Sequence, residues 1–187
     1  MPRVLDTELE GLVLLEPQVH GDERGFLVET FSEHGWREAG VGVEFVQDNH
    51  SRSGQGILRG LHFQTSPGQA KLVRCVRGRI WDVAVDLRRD SSTYGRWEGH
   101  ELDDAALRQL WVPVGFAHGF CVVSDEADVV YKCSSYYDAA TEAGIAYDDP
   151  DVGIAWPSID LTVSERDRSA PRLAEIADEL PFVVQSA

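Results

Sequence analysis

Three basic side chains, Arg59, His62 and Lys71, lie close together in two apolar, alternating stretches, residues 58–64 and 69–73. Unpaired positive charge is unfavourable in a protein core. Each residue alone would therefore be explained as a cation at a strand end or as a hydrogen-bonded core histidine. Three of them within so short a span indicate a site that handles an anion and contains a base.

A histidine and a lysine that act with a tyrosine and a carboxylate, without a metal, suit removal of a proton next to a carbonyl group. Neutral imidazole is available as a base at neutral pH, because its ordinary pKa is about 6.5. A carboxylate fixes the tautomer of the ring, and a lysine aimed at the carbonyl oxygen stabilises the enolate. A tyrosine on the opposite face can return a proton. Base, enolate stabiliser and opposed acid together make an epimerase.

The length, charge and cysteine content limit the kinds of protein that this chain can be. A chain of 187 residues predicts a single domain, residues 1–187, with a core of useful size. The net charge of −15 argues against binding to nucleic acids or anionic membranes. Cys75, Cys121 and Cys133 lie in strand-like runs without CxxC spacing, so we expect reduced, buried thiols. With no signal pattern or membrane-spanning run, the sequence predicts a cytoplasmic protein.

The elements that must position these side chains are short strands. About ten alternating stretches, punctuated by 17 glycines and 8 prolines, are typical of a sandwich or small barrel. Regular helices between them, which a doubly wound fold needs, are missing from the pattern. We therefore predict an all-β, jelly-roll barrel with short N-terminal strands. A small C-terminal helix, the only sizeable one, is expected to open at Pro171 and run to about Leu180.

Residues 71–76 and 79–87 alternate and predict a hairpin about Arg77-Gly78. In its second strand, Asp82 and Asp86 share one face. Two carboxylates on one face of a strand are either exposed to solvent or line a polar cavity, and the pattern leaves both open.

Other segments are predicted from the same rules. We expect a strand at 43–47, a loop at 51–56 and loop-like chain from residue 136 onward. Ser32 is expected to cap a short helix, and residues 164–168 to form a polar turn.

Jelly-roll barrels often hold a metal through several histidines and a carboxylate, and residues 113–118 resemble the second half of this cupin-type motif. The first half needs a His-x-His pair followed by Glu, but His62 is followed by Phe63 and Gln64. Two histidines are too few for a catalytic metal site. The sequence therefore predicts a barrel without a metal.

Taken together, eight segments resemble the dTDP-4-dehydrorhamnose 3,5-epimerase family, a family of cupin-type barrels. Each segment alone is a weak signal, but their order along nearly the whole chain is specific. The matching segments are residues 22–26, 47–51, 58–64, 69–71, 78–86, 113–120, 131–133 and 164–167.

The resemblance implies an epimerase that acts on a dTDP-4-keto-6-deoxyhexose and uses no cofactor and no metal. It implies that His62 is the base, that Asp167 is its paired carboxylate and that Tyr131 is the acid on the opposite face. Lys71 then faces the sugar carbonyl, where it stabilises the enolate.

The resemblance also implies the substrate-binding residues. Arg59 and His118 line the site, with Arg59 on the diphosphate, and Tyr137 lies near the nucleotide base where many members have tryptophan. Glu142 is a further binding position and, with Asp82, fits a role in orienting the catalytic lysine or tyrosine. In a homodimer with exchanged N-terminal strands, the partner subunit supplies some of the residues at the nucleotide end, which are Arg24, Phe26, Glu29, Gln47 and Asn49.

Members of this family differ in whether they invert C3, C5 or both centres. The sequence leaves open a monoepimerase of an antibiotic deoxysugar pathway, a metal-dependent cupin isomerase or oxygenase, and a non-catalytic dimer that binds sugar nucleotides. Binding alone requires no base and acid, so the presence of all four catalytic residues argues against the last alternative. The sequence does not identify the pathway or the final sugar.

Overall fold

A computed structural model describes residues 1–184. It confirms the predicted all-β barrel, which is built from two mainly antiparallel sheets. In chain order the strands are β1 (Arg3–Leu5), β2 (Val13–Glu16), β3 (Val19–Asp22), β4 (Gly25–Val28), β5 (Gln47–Gly54), β6 (Ile57–Gln64), β7 (Lys71–Arg77), β8 (Arg79–Asp86), β9 (Trp97–Asp103), β10 (Gln109–Val112), β11 (Phe116–Val122), β12 (Glu126–Cys133), β13 (Glu142–Gly144) and β14 (Thr162–Val163).

The first sheet has the strand order β1-β2-β10-β7-β12-β5, and the second has the order β13-β6-β11-β8-β9. The short strand β14 joins the second sheet by pairing in parallel with β6. Strands β3 and β4 form a separate two-stranded hairpin that pairs with neither sheet.

The predicted hairpin about Arg77-Gly78 is wrong. Strand β7 pairs with β10 and β12 in the first sheet, whereas β8 pairs with β11 and β9 in the second. The turn at Gly78 therefore carries the chain from one sheet to the other. Alternation defines each strand, but it contains no information about which distant strand supplies the hydrogen-bonding partner.

Strand β8 is buried on both faces. Ile80 and Ala84 pack into the barrel interior, while Val83 and Val85 pack beneath the C-terminal segment. The face that carries Asp82 and Asp86 therefore points inward, and both carboxylates are fully buried. Of the two possibilities open from the sequence, exposure to solvent is excluded. The residues beneath the C-terminal segment pack against Leu173, Leu180 and Phe182.

Two local predictions in the first half of the chain need correction. The strand expected at 43–47 begins only at Gln47, because Val43 and Phe45 pack instead against a cluster that contains Trp36 and Trp111. Most of the expected loop at 51–56 belongs to β5, since its polar residues pair with β12. In the second half of the chain, residues 142–144 form β13 inside the region expected to be loop-like.

The helices are few and short. Helix α1 (Glu33–Glu38) is capped as predicted, because the Ser32 hydroxyl accepts a hydrogen bond from the Gly35 amide. The expected polar turn at 164–168 is the one-turn helix α2 (Glu165–Arg168). The C-terminal helix α3 is shorter than expected, because it covers only Leu173–Ile176 and is followed by a 3-10 turn at Ala177–Glu179. It is therefore not the largest helix, since α1 has six residues and α3 has four. Within residues 1–184 no helix is long and apolar enough to cross a bilayer.

The three cysteines, Cys75, Cys121 and Cys133, are buried free thiols, as predicted. The last three residues of the expected domain, 185–187, lie outside the described part of the chain.

Candidate active site

A cavity of about 470 Å³ opens between the two sheets. It brings together six of the predicted site residues, which are Arg59, His62, Lys71, His118, Tyr131 and Asp167. The rest of its lining comes from residues that the sequence analysis did not assign to the site: Ser51, Ile57, Leu58, Phe120, Thr162, Val163, Ser164 and Arg166. Among residues 1–184, no group of three or more His, Cys, Asp and Glu side chains is arranged to hold a metal ion.

His62 and Asp167 form a hydrogen-bonded pair in this cavity. His62 lies on β6, and its Nε2 is 2.7 Å from Oδ1 of Asp167. The Asp167 carboxylate accepts a hydrogen bond from the protonated Nε2 of His62. The neutral ring therefore has its free lone pair on Nδ1. Asp167 is almost fully buried, and its backbone amide donates to the Ser164 hydroxyl at 3.1 Å. A base with a fixed tautomer follows from this arrangement.

Burial lowers the pKa of His62 from its ordinary value, and the positive charge of Lys71 acts in the same direction. The hydrogen bond and the charge of Asp167 oppose this shift but do not cancel it. The ring is therefore neutral at neutral pH and is able to accept a proton.

Lys71 and Tyr131 enter the cavity from the first sheet. In the ladder between β7 and β12, Tyr131 is opposite Val73 and Cys133 is opposite Lys71, so all four residues share one face. Burial lowers the pKa of Lys71, and the negative charges of Glu142 and Asp82 oppose this shift without cancelling it. Burial raises the pKa of Tyr131, which keeps its phenol protonated and able to donate.

A second histidine–carboxylate pair lies beside the first. His118 on β11 is hydrogen bonded through Nε2 to Asp82 on β8, with distances of 2.9 and 3.0 Å to the two carboxylate oxygens. Asp82 was expected to orient the catalytic lysine or tyrosine, but its hydrogen-bonding partner is His118. The alternation of β8 placed Asp82 on one face with Asp86, whereas its partner depends on the β8–β11 register, which a single sequence does not reveal.

Two glycines let neighbouring strands approach the strand that carries the base. Gly60 has φ +133°, and a Cβ atom there would lie 2.5 Å from the Cα of Gly119 on β11. A Cβ atom at Gly144 on β13 would lie 2.6 Å from the backbone oxygen of Leu61. Any larger residue would push these strands away from β6. The position of His62 between β11 and β13 therefore depends on both glycines.

Three of the predicted substrate-binding residues, Gln47, Asn49 and Tyr137, lie beside strand β12 and are joined by hydrogen bonds. The Gln47 carbonyl oxygen accepts from the Tyr137 amide at 3.0 Å, and the Gln47 side-chain amide donates to Asn49 at 3.1 Å. Asn49 in turn donates to the sulfur of Cys133 at 3.5 Å. Arg59 is exposed at the rim, where its Nε donates to the Ser53 hydroxyl at 3.1 Å. Gln47, Asn49 and Tyr137 thus form one hydrogen-bonded group, whereas Arg59 is bonded separately to Ser53.

Seven of the predicted site residues do not line the cavity, and three of them lie on or next to the β3–β4 hairpin. Arg24 and Phe26 belong to the β3–β4 hairpin, and Glu29 follows it. Arg24 pairs with Asp22 at the hairpin turn, and the side chain of Phe26 is 63% exposed. Within a single chain the structure does not bring this part of the predicted nucleotide site to the rest.

Comparisons with known proteins agree with this geometry. The sequence model of the dTDP-4-dehydrorhamnose 3,5-epimerase family matches residues 6–175. A dTDP-4-dehydrorhamnose 3,5-epimerase from Methanothermobacter thermautotrophicus is 51% identical over 176 residues, which cover 92% of this chain and 95% of that protein. A dTDP-4-dehydrorhamnose 3-epimerase from Streptomyces niveus is 44% identical over 172 residues, 91% of this chain and 83% of that protein.

The fold is shared as well. The crystal structure of dTDP-6-deoxy-D-glucose-3,5-epimerase from Legionella pneumophila Philadelphia 1, in complex with dTDP-4-keto-L-rhamnose, superposes with a TM-score of 0.95. The two proteins are 43% identical, and the match covers 100% of both chains. The chain is thus similar in sequence and in fold to epimerases along nearly its whole length.

Proposed function

Because the chain belongs to the dTDP-4-dehydrorhamnose 3,5-epimerase family, we propose that its cavity inverts the two carbons beside the ketone of a dTDP-4-keto-6-deoxyhexose, C3 and C5. This is the epimerisation of dTDP-rhamnose biosynthesis. The observation that carries the assignment of residues is the hydrogen bond between partly buried His62 and the buried Asp167 carboxylate, in a cavity shared with Lys71 and Tyr131.

The reaction begins when Nδ1 of neutral His62 removes a proton from the carbon next to the ketone. The electron pair of the broken C–H bond moves into the enolate, and protonated Lys71 stabilises the charge that develops on the ketone oxygen. Asp167 stabilises the imidazolium. Tyr131 then donates its proton to the opposite face of the carbon, and the configuration is inverted. Proton exchange with solvent returns His62 and the Tyr131 phenolate to their starting states.

The substrate's charge is concentrated in its diphosphate, and Arg59 at the rim is placed to bind it. A guanidinium group matches phosphate oxygens with two parallel hydrogen bonds, which favours arginine over lysine at this position. The connected group of Gln47, Asn49 and Tyr137 is placed to bind the nucleotide end of the substrate. The chain has a net charge of −15, so the positive charges of Arg59 and Lys71 at the cavity are needed to attract an anionic substrate.

The hairpin β3–β4 supports a second part of the proposal, a homodimer with exchanged N-terminal strands. Phe26 and Leu27 are 63% and 73% exposed, and the hairpin pairs with neither sheet of its own chain. Exposed apolar side chains on an isolated hairpin are unfavourable in water, whereas contact with a second copy would bury them. Such a contact would also carry Arg24 to the partner's cavity. The three buried free thiols support the expected cytoplasmic location.

The first test is proton NMR of the enzyme with dTDP-4-keto-6-deoxyglucose in deuterated water. The proposal predicts deuterium at both C3 and C5 and conversion to the epimerised product. The similarity to the Streptomyces niveus 3-epimerase keeps monoepimerisation as the second candidate, and deuterium at one centre only would establish it. Failure to exchange at either centre would contradict both.

A further inference from the structure

A further histidine–carboxylate pair lies on strand β9, and the mechanism described above does not use it. Glu98 and His100 are two positions apart on this strand, so their side chains share one face. The His100 side chain is 16% exposed and the Glu98 side chain 12%. Nε2 of His100 is 2.8 Å from Oε1 of Glu98. Two lone pairs would repel each other at this distance, so one of the two groups carries a proton there.

Glu98 has a structural role that accounts for its burial. Its second carboxylate oxygen, Oε2, accepts hydrogen bonds from the backbone amides of Glu8 at 2.7 Å and of Leu9 at 2.9 Å. The carboxylate thereby fixes the segment between β1 and β2 against β9. This contact explains why a carboxylate stands at position 98, but it gives no reason for an imidazole at position 100.

His100 is not explained as a core histidine with satisfied hydrogen bonds. Its Nε2 is buried, and the direction of the short approach to Glu98 does not meet hydrogen-bond geometry. The atom therefore has no hydrogen-bond partner among residues 1–184. A buried polar atom without a partner is unfavourable, and an apolar side chain at this position would avoid that cost. The presence of the imidazole therefore calls for another explanation.

The residue that His100 faces is Asp82. The two are directly opposite each other in the β8–β9 ladder, where side chains on the same face have Cβ atoms about 4.5–5.5 Å apart. Asp82 is fully buried, and both of its carboxylate oxygens are bonded to Nε2 of His118. Apolar side chains, among them Leu102 and Leu110, fill the neighbouring interior. A polar neighbour across the strand is therefore important for a carboxylate in this position.

We propose that His100 is a positioning residue for Asp82. Held in place by Glu98, its imidazole keeps the Asp82 carboxylate directed at His118 in the cavity. The inference rests on the proposed function, since His118 and Lys71 belong to the cavity that carries out that reaction. Carboxylates and imidazoles then alternate across the second sheet, from Glu98 on the edge strand β9 to His118 on β11.

The position of Asp82 also affects Lys71, which stabilises the enolate in the proposed mechanism. Burial lowers the pKa of Lys71, and Asp82 is one of two carboxylates, with Glu142, whose charge opposes this shift. Without His100, the Asp82 carboxylate has one polar neighbour fewer and is free to turn away from His118 and Lys71. The pKa of Lys71 then falls further, and the alkaline limb of the pH profile moves to lower pH.

The test is the variant His100→Leu, which removes the imidazole but leaves the Glu98 contacts with residues 8 and 9 in place. We expect kcat for deuterium exchange to fall about 3- to 10-fold, with a change in KM of less than about twofold. The alkaline limb of kcat/KM should shift to lower pH. The matched control is Glu101→Gln, on the opposite face of the same strand, where an exposed ion pair with Arg79 is lost and nothing should change.

Two further variants separate positioning from packing. His100→Gln keeps a side-chain donor on β9, so it should exchange faster than His100→Leu. The double variant of His100→Leu with Asp82→Asn should be no slower than the slower single variant, because His100 acts through Asp82. If His100→Leu does not fold, as judged by its thermal melt, His100→Gln takes its place in this comparison.

Three results would overturn the inference. The first is a wild-type kcat with an unchanged alkaline limb in His100→Leu, which would leave the imidazole a packing role alone. The second is a rise in KM with unchanged kcat, and the third is strictly additive effects of the changes at His100 and Asp82. All are measured relative to a wild-type enzyme that exchanges both centres. If the wild type does not exchange, the proposed function itself fails, and that outcome is distinct from the three above.

Discussion

His62 and His118 are direct cross-strand neighbours in the β6–β11 ladder, and each uses Nε2 to bond a buried carboxylate. The two imidazoles therefore line one cavity with the same nitrogen occupied. His62 is paired with Asp167 on a short helix, whereas His118 is paired with Asp82 within the second sheet. This arrangement explains why an apolar barrel tolerates four polar groups so close together, since each has a partner.

The second pair leads to a prediction about Asp82. Replacement by asparagine keeps the shape but removes the charge that His118 faces. Hydrogen bonds to charged groups contribute about 1.5–3 kcal/mol, so we expect kcat/KM of Asp82→Asn to fall by about 10- to 100-fold. Steady-state kinetics and a thermal melt measure this change. A wild-type kcat/KM would show that His118 needs no carboxylate in the reaction.

The assignment of the base is tested by His62→Ala. General bases typically contribute about 10²- to 10⁴-fold, so deuterium incorporation should fall by at least this factor at every centre. His34→Ala, which removes an exposed histidine of α1, is the matched control and should exchange normally. Retention of full exchange in His62→Ala would rule out the base assignment.

The role of Tyr131 is separable from that of the base. In Tyr131→Phe, proton removal by His62 remains possible, whereas the opposite face loses its donor. We expect exchange at C5 to continue while inversion at C5 is slowed by about 10²-fold or more. Solvent exchange and product formation are both read from the same NMR time course. Equal loss of both would place Tyr131 in the proton-removal step or make it structural.

The pH dependence follows from the directions of the pKa shifts. The active form needs neutral His62, whose pKa is lowered from 6.5, so the acid limb of kcat/KM should be centred below pH 6.5. It also needs protonated Lys71, whose pKa is lowered from 10.5, so activity should be lost on the alkaline side before pH 10.5. The measurement is kcat/KM across the pH range on both sides of neutrality. An acid limb centred above pH 6.5 would contradict the assignment of His62.

Asp167→Asn refines this test. The carboxylate raises the pKa of His62, so its neutral replacement should move the acid limb further down in pH while kcat falls.

Exchange of the hairpin between subunits predicts complementation in mixed dimers. His62→Ala and Arg24→Ala chains should each be impaired alone, the second mainly through KM. Co-refolded in equal amounts, they should form mixed dimers in which one cavity has both an intact base and an intact partner hairpin. About a quarter of all cavities would then be active. Activity no greater than the sum of the separate variants would contradict the exchange, and light scattering would report the oligomeric state independently.

Much of the chemistry was accessible from the sequence. A histidine and a lysine in apolar, alternating stretches, His62 and Lys71, indicated a base close to a cation. The ordered motifs of the family resemblance then identified Tyr131 and Asp167 as further site residues. The alternation of β8 placed Asp82 and Asp86 on one face of the strand. The sequence also predicted that Ser32 caps the first helix, as the structure has it. The alternation depends on the period of a strand and the cap on contacts within one helical turn, which are short-range properties of the chain, whereas Tyr131 and Asp167 came only from the resemblance to the family.

The tertiary structure alone decided the pairings. His62 and Asp167 are separated by 105 positions, His118 and Asp82 by 36, and Arg166 and Glu142 by 24. Each pair forms because strands or helices from distant parts of the chain are brought together by the two sheets. The same holds for the turn at Gly78, where adjacent strands enter different sheets. Sequence periodicity specifies which face of a strand is buried, whereas the partner across that face is selected by the packing of the whole barrel.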